Sequence, residues 1–193
     1  MTAIELKTAY AQGQRDFHNA NLSFADLSHT NLSHANLSHA NLYNANLSHA
    51  NLYNANLSHT NLSHTNLSHA DLSHADLSHA DLSFADLYHA NLYHANLYDA
   101  KCPAPTMFLL AKWGEVSDKL CASLMCYDLH NHDSPEKFIK WAGGGACPYS
   151  EEFYQRCANF KERKELFDKN ATLLSARQLM QCLLVEKTKY YEE

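Results

Sequence analysis

A leucine returns at every fifth residue from Leu22 to Leu97, and this period constrains the chain more than any other feature of it. Phe17 opens the series at the same spacing, so seventeen repeats run from Phe17 to Leu97. From Leu22 onward each centre follows Ala or Thr two places earlier and Asn or Asp one place earlier. Such a period signals stacked units that bury a continuous core only together. Five fits neither a helical stripe, which needs spacings of three and four, nor the simple alternation of a half-buried strand. Apolar residues two apart instead predict a short extended piece with both side chains on one face, followed by a corner. The expected core therefore contains Phe17, Leu22, Leu42, Leu62, Leu82 and Leu97.

The repeat units Ala20-Asn21-Leu22-Ser23-Phe24 and Ala35-Asn36-Leu37-Ser38-His39 resemble the signature of the pentapeptide-repeat family. The lead-in Tyr10-Ala11-Gln12-Gly13-Gln14-Arg15-Asp16-Phe17 is also similar to that family. The resemblance implies a mainly β solenoid, a right-handed quadrilateral β-helix with four repeats per coil. It places the central Leu and the preceding Ala inside, and the other three positions outside. A scaffold fold of this kind does not by itself assign an activity.

The expected division is an N-terminal capping helix over 1–15, the β-helix over 16–102 and an α-helical domain over 103–193. Thr2 and Glu5 have capping-box spacing and Gly13 suits a helix end, so a short helix is expected to cover the open first coil. Beyond Ala100 the period stops, and Cys102-Pro103-Ala104-Pro105 breaks it. One helix is expected from about Ser117 through Leu120, Leu124, Met125 and Leu129. A second should start at Asp133-Ser134-Pro135, carry Phe138, Ile139 and Trp141, and end at Gly143-Gly144-Gly145. Helical turns follow from Ser150 to Phe167. A last helix from about Ser175 places Leu179, Cys182, Leu183 and Tyr190 on one face, free to pair with another chain.

If residues twenty apart stack, the outward last position of each repeat forms axial rows. One row is His29, His49, His69 and His89. Others are His39, His59 and His79 ending at Asp99, and His34, Asn54, His74 and His94. Three readings stand for these rows: a solvated polar surface copied with the repeat, a metal site, and a pH sensor. Two imidazoles on a flat face make an incomplete metal site. Full protonation of the twelve histidines among the repeats would move the block from −7 to +5, so acid should destabilise it. Phe84, Tyr88, Tyr93 and Tyr98 are expected to crowd the last coil as one outward aromatic cluster that docks the C-terminal segment or a second subunit.

The net charge of −6 sits on the repeats, whose only formal charges are seven aspartates. Some pentapeptide-repeat proteins resemble duplex DNA and bind type II topoisomerases. Here Asp71, Asp76, Asp81 and Asp86 occupy successive repeats, which spreads them around a coil where mimicry needs an axial row. Direct binding of nucleic acid is not expected.

After the repeats, Cys121, Cys126, His130 and His132 are the weak metal candidates. Their spacing departs from the closer cysteine pairs of structural zinc sites. Cys147 follows three glycines, but no base or orienting partner is designated for it, and no phosphate-cradling motif is present. No cofactor and no enzymatic activity are expected. No apolar run is long enough to cross a bilayer and the first residues lack a secretory pattern, which makes the cytoplasm the expected compartment and the cysteines reduced thiols. The sequence therefore reads as a non-enzymatic scaffold for an unidentified protein partner or a second copy of itself. Topoisomerase mimicry and metal or pH sensing by the histidine rows are its alternatives.

Overall fold

A computed structural model describes residues 1–131, 135–142, 164–168 and 173–188. Parallel bridges join residues twenty apart along the repeats, among them Asn21 with Asn41, Asn41 with Asn61 and Asn61 with Asp81. Four repeats therefore complete one coil. Each repeat is tied to the next coil by backbone bonds: Leu42 N–H donates to Asn61 O at 2.8 Å and Asn61 N–H donates to Ala40 O at 3.0 Å. A tight turn then closes on itself, with Ala45 N–H donating to Leu42 O at 3.0 Å. Phe17, Leu22, Leu42, Leu62, Leu82 and Leu97 are all buried, as are most of the alanines. Thr60 and Thr65 replace alanine inside the coil, and their hydroxyls donate to Leu37 O and Leu42 O.

The Asn or Asp before each centre shapes the turn after it. Asn61 Oδ1 accepts from the Ser63 backbone N–H at 3.0 Å and from its hydroxyl at 2.6 Å, and Asp71 accepts likewise from Ser73. Side chains that bond backbone two residues on are the usual makers of such turns.

Helix α1, Ala3–Ala11, starts with a complete capping box between Thr2 and Glu5. It ends at Gly13, whose φ of +95° lets Gln14 N–H reach back to Ala9 O and Gly13 N–H to Tyr10 O. Leu6 is buried in the same core as Phe17, and the Tyr10 hydroxyl donates to Ser33 O at 2.9 Å.

Backbone pairing continues past residue 102, where the five-residue period ends. Lys101 bridges to Asp81. After a detour through the short helix α2, Pro105–Phe108, Lys112 bridges to Asn91, one residue longer than the regular spacing. Ala111, Lys112 and Trp113 occupy the places of Ala, Asn and Leu in a repeat, and Trp113 is fully buried against Phe108.

Among the described residues three more α-helices follow: α3, Asp118–Asn131; α4, Glu136–Ala142; and α5, Ala176–Thr188. The expected start of α4 at Asp133 and Ser134, its glycine end and the turns expected over 150–163 lie outside the described residues. Ile139 of α4 is exposed, whereas Phe138 and Trp141 are buried beside Phe167. Helix α5 packs on α2 and α3. Its Leu179 and Leu183 are buried there, one helical turn apart, so the face expected to meet another chain is used within this one. Cys182 is exposed, off that face, and Tyr190 lies outside the described residues. Glu186 of α5 accepts from both the backbone N–H and the hydroxyl of Ser117, just before α3 begins.

Candidate functional site

The outward last position of every repeat has left-handed backbone. All seventeen, from Asn19 to Asp99, have φ between +53° and +62°. Asn, Asp and His tolerate this region better than other non-glycine residues, and bulky side chains rarely enter it. The turn therefore explains much of the histidine content before any function does. His59→Val, at φ +57°, should lower stability by roughly 1–2 kcal/mol. His59→Asn should leave melting nearly unchanged, because Asn44 and Asn54 hold the same conformation. Equal losses in the two variants would contradict this explanation.

Each of the four corners of the coil carries an axial row of side chains. At the second corner His29, His49 and His69 stack with ring centroids 4.7 Å apart and nearly parallel planes, while His89 tilts by 46°. Burial, then the His69 imidazole and the Lys112 ammonium, lowers the pKa of His89. Its stabilising contribution is present above the ordinary histidine range and is lost as pH falls through that range towards the lowered value. At the fourth corner His39, His59 and His79 stack at 4.7 and 4.6 Å, and His79 Nδ1 meets Asp99 Oδ2 at 3.1 Å. The third corner alternates His34, Tyr53 and His74 edge to face, and Asn54 bonds His34.

Stacked imidazoles direct their nitrogen lone pairs side by side, in the ring planes, so a shared metal would require both rings to turn. Among the described residues no three His, Cys, Asp or Glu side chains come together to hold a metal ion. Cys121 and Cys126 lie about 140° apart around α3. Both are buried. Burial, then the Asp168 carboxylate, pushes the Cys126 thiol up, away from the thiolate that binds metal. His130 Nδ1 lies 2.8 Å from Cys126 O and uses its proton there. His132 and Cys147 lie outside the described residues.

The expected single aromatic cluster does not form. Phe84 stands at the first corner, Tyr88 at the second, Tyr93 at the third and Tyr98 at the fourth, because successive repeats turn by a quarter of a coil. Tyr93 is covered: the backbone of Gly114 lies directly on its ring. A different aromatic row, unforeseen from the period, runs along the first corner. Phe24 meets Tyr43 edge to face at 5.5 Å, Tyr43 meets His64 at 5.6 Å, and His64 stacks on Phe84 at 4.8 Å. Phe24 is 68% exposed and Phe84 76%.

Aspartates never adjoin along the axis. The four bridged rows read Asp16, Asn36, Asn56, Asp76, Asn96; Asn21, Asn41, Asn61, Asp81, Lys101; Asp26, Asn46, Asn66, Asp86; and Asn31, Asn51, Asp71, Asn91, Lys112. Asparagine amides donate to several of these carboxylates, as Asn91 does to Asp71 and Asn96 to Asp76, both at 3.0 Å. No continuous negative edge of the kind a DNA-binding partner would follow is built among the described residues.

No helix among the described residues is long and apolar enough to cross a membrane. No curated protein matches the sequence. The family of pentapeptide repeats matches in four overlapping stretches, residues 16–52, 30–68, 50–83 and 65–101. Similar solved structures include a pentapeptide repeat protein of the Arabidopsis thaliana thylakoid lumen, at 16% identity over 86% of this chain and 88% of that one, with a TM-score of 0.45. HetL, a pentapeptide repeat protein involved in heterocyst differentiation regulation in the cyanobacterium Nostoc, is 29% identical over 59% of this chain and 58% of that one, with a TM-score of 0.35. A further Nostoc pentapeptide repeat protein is 40% identical over 58% of this chain and 75% of that one, with a TM-score of 0.26. Through residues 16–101 the chain belongs to the pentapeptide-repeat family, whose members fold as right-handed quadrilateral β-helices.

Proposed function

We propose that the protein is a non-enzymatic scaffold that holds a protein partner along the first corner of its coil. One observation carries the reading: Phe24 and Phe84 keep left-handed backbone, at φ +62° and +60°, and remain exposed. A bulky ring in that region costs about 1–2 kcal/mol compared with ordinary backbone, and here little burial offsets it. Strain of this kind, held at an exposed position, is a reasonable mark of function. Tyr43 and His64 join the two phenylalanines into a stripe roughly three strand spacings, or ~14 Å, long. Exposed aromatic rows are the usual anchors of protein interfaces.

In this reading residues 1–15 cap the coil, and the helices after Trp113 close its other end and extend the partner's surface. The compartment is the cytoplasm, where Cys121 and Cys126 stay as buried thiols of α3. Mimicry of DNA lacks the negative row it would need, and a metal-sensing role lacks convergent ligands among the described residues.

Affinity capture with the full chain, compared with the Phe24→Asn, Phe84→Asn double variant, tests the reading. The variant should lose the partner retained by the original protein, by tenfold or more in recovered amount. A partner set unchanged by the two substitutions would refute it. Loss of a sedimenting dimer in the variant would identify a second copy as the occupant.

A further inference from the structure

Rows beside the aromatic stripe show which chemistry would lie along it, an inference that rests on the scaffold reading above. Phe24 and Phe84 are each followed, across one alanine, by an aspartate, Asp26 and Asp86. These two aspartates end one bridged row, Asp26, Asn46, Asn66 and Asp86, which runs the full length of the stripe. Each spends one carboxylate oxygen on its own turn. Asp26 Oδ1 accepts from the Ser28 N–H and hydroxyl and from the Asn46 amide, and Asp86 Oδ1 accepts from the Tyr88 N–H. Among the described residues the second oxygen of either carboxylate accepts no hydrogen bond and joins no ion pair. Asp81, on the other flank of Phe84, differs: its Oδ2 is held by the Lys101 ammonium at 3.1 Å.

We propose that the stripe binds an extended segment of a partner protein that carries two arginines about four residues apart. Phe84 stacks on His64 with one face, and Phe24 meets Tyr43 edge to face, so each end ring keeps a face that no other ring covers. A guanidinium can lie on such a face and direct its N–H fork to the carboxylate beside it, which a compact ammonium does less well. The two ends of the stripe are three strand spacings apart, ~14 Å, and an extended chain covers that distance in about four residues.

Charge favours the same occupant. Between Asp16 and Ala100 there are seven aspartates and neither lysine nor arginine, so a basic segment is drawn to the coil. A second copy fits worse. Laid antiparallel on another copy, the stripe would set Asp26 of one against Asp86 of the other; laid parallel, it would set Asp86 against Asp81.

Fluorescence anisotropy on the full-length protein tests this, with a fluorescein-labelled peptide that has arginine at every fourth position and Ser-Gly-Ser between. This peptide should bind at least fivefold tighter than the same peptide with lysine. Asp26→Asn with Asp86→Asn should weaken its binding at least fivefold. Asp71→Asn with Asp76→Asn removes the same charge at the third and fourth corners and should change it less than twofold. Asparagine already stands at the equivalent places in all three rows, as Asn46, Asn51 and Asn56 do, and melting curves verify that both variants fold. No binding of the arginine peptide, equal loss in the two aspartate variants, or equal affinity for the lysine peptide would each overturn the proposal. A cellular partner that is lost with Phe24→Asn, Phe84→Asn but kept by Asp26→Asn, Asp86→Asn would overturn it and leave the scaffold reading standing. A partner kept by both variants would remove the two together.

Discussion

Leu62→Ala is expected to destabilise the protein by about 2–5 kcal/mol, the cost of truncating a fully buried leucine whose site does not collapse. Leu62 has no exposed surface and lies in the middle coil, stacked between Leu42 and Leu82. Backbone bonds hold its rung from both sides: Leu42 N–H donates to Asn61 O, and Leu62 N–H donates to Asp81 O, each at 2.8 Å. The rungs are fixed about 4.8 Å apart by these ladders, so neighbours cannot close over the cavity. In a solenoid each unit is supported only by the units next to it, and a defect in the middle weakens coupling between the two halves. Leu97→Ala, in the last regular repeat and already 4% exposed, should cost less. Urea unfolding of the two variants measures the difference; a loss below about 1 kcal/mol for Leu62→Ala would mean that the interior is more adaptable than the ladders allow.

Gly114→Ala should be the second most damaging change. A Cβ at this position would lie 1.7 Å from Tyr93 Cδ2, 2.4 Å from Cε2 and 2.9 Å from Cγ, well inside contact distance. The backbone has φ +65°, which an alanine adopts only with strain. Overpacking of this kind costs roughly 1–3 kcal/mol, and the strained backbone adds to it. The substitution should lift the added rung away from the last coil and draw Trp113 from the core, seen as a red shift and loss of intensity in tryptophan fluorescence. Tyr93→Ser should restore part of the loss, because serine, which Ser33 and Ser73 hold at the equivalent place in earlier coils, removes the ring that the added Cβ would meet. If the double variant is no more stable than Gly114→Ala alone, the clash with Tyr93 is not the cause.

The inside of the coil was legible in the sequence because a single spacing specifies it: residues five apart turn by a quarter of a coil, and only Leu, Phe, Ala and Thr fill the interior. The corner conformation was less legible. A repeat of five does not state the sign of φ, although the run of His, Asn and Asp at one position carries the hint that these residues tolerate left-handed backbone. The aromatic row was hidden for a geometric reason. Stacking in steps of twenty pairs like positions, whereas Phe24 meets Tyr43 and Tyr43 meets His64, at separations of nineteen and twenty-one. Phe84, Tyr88, Tyr93 and Tyr98 look like one patch because they fall in successive repeats at the end of the block, although the same step of twenty puts each of them at a different corner. The rung at Lys112 escaped because the detour through α2 shifts its spacing by one residue and replaces Leu by Trp.

The central claim is that Phe24 and Phe84 serve contact with a partner and not the fold. Thermal melting of the Phe24→Asn, Phe84→Asn variant tests it most directly. Relief of two strained backbones should leave the melting temperature unchanged or raise it by a few degrees, given about 2–4 °C per kcal/mol for a chain of this size. A fall of several degrees would show that the stripe holds the coil together, and would contradict the claim.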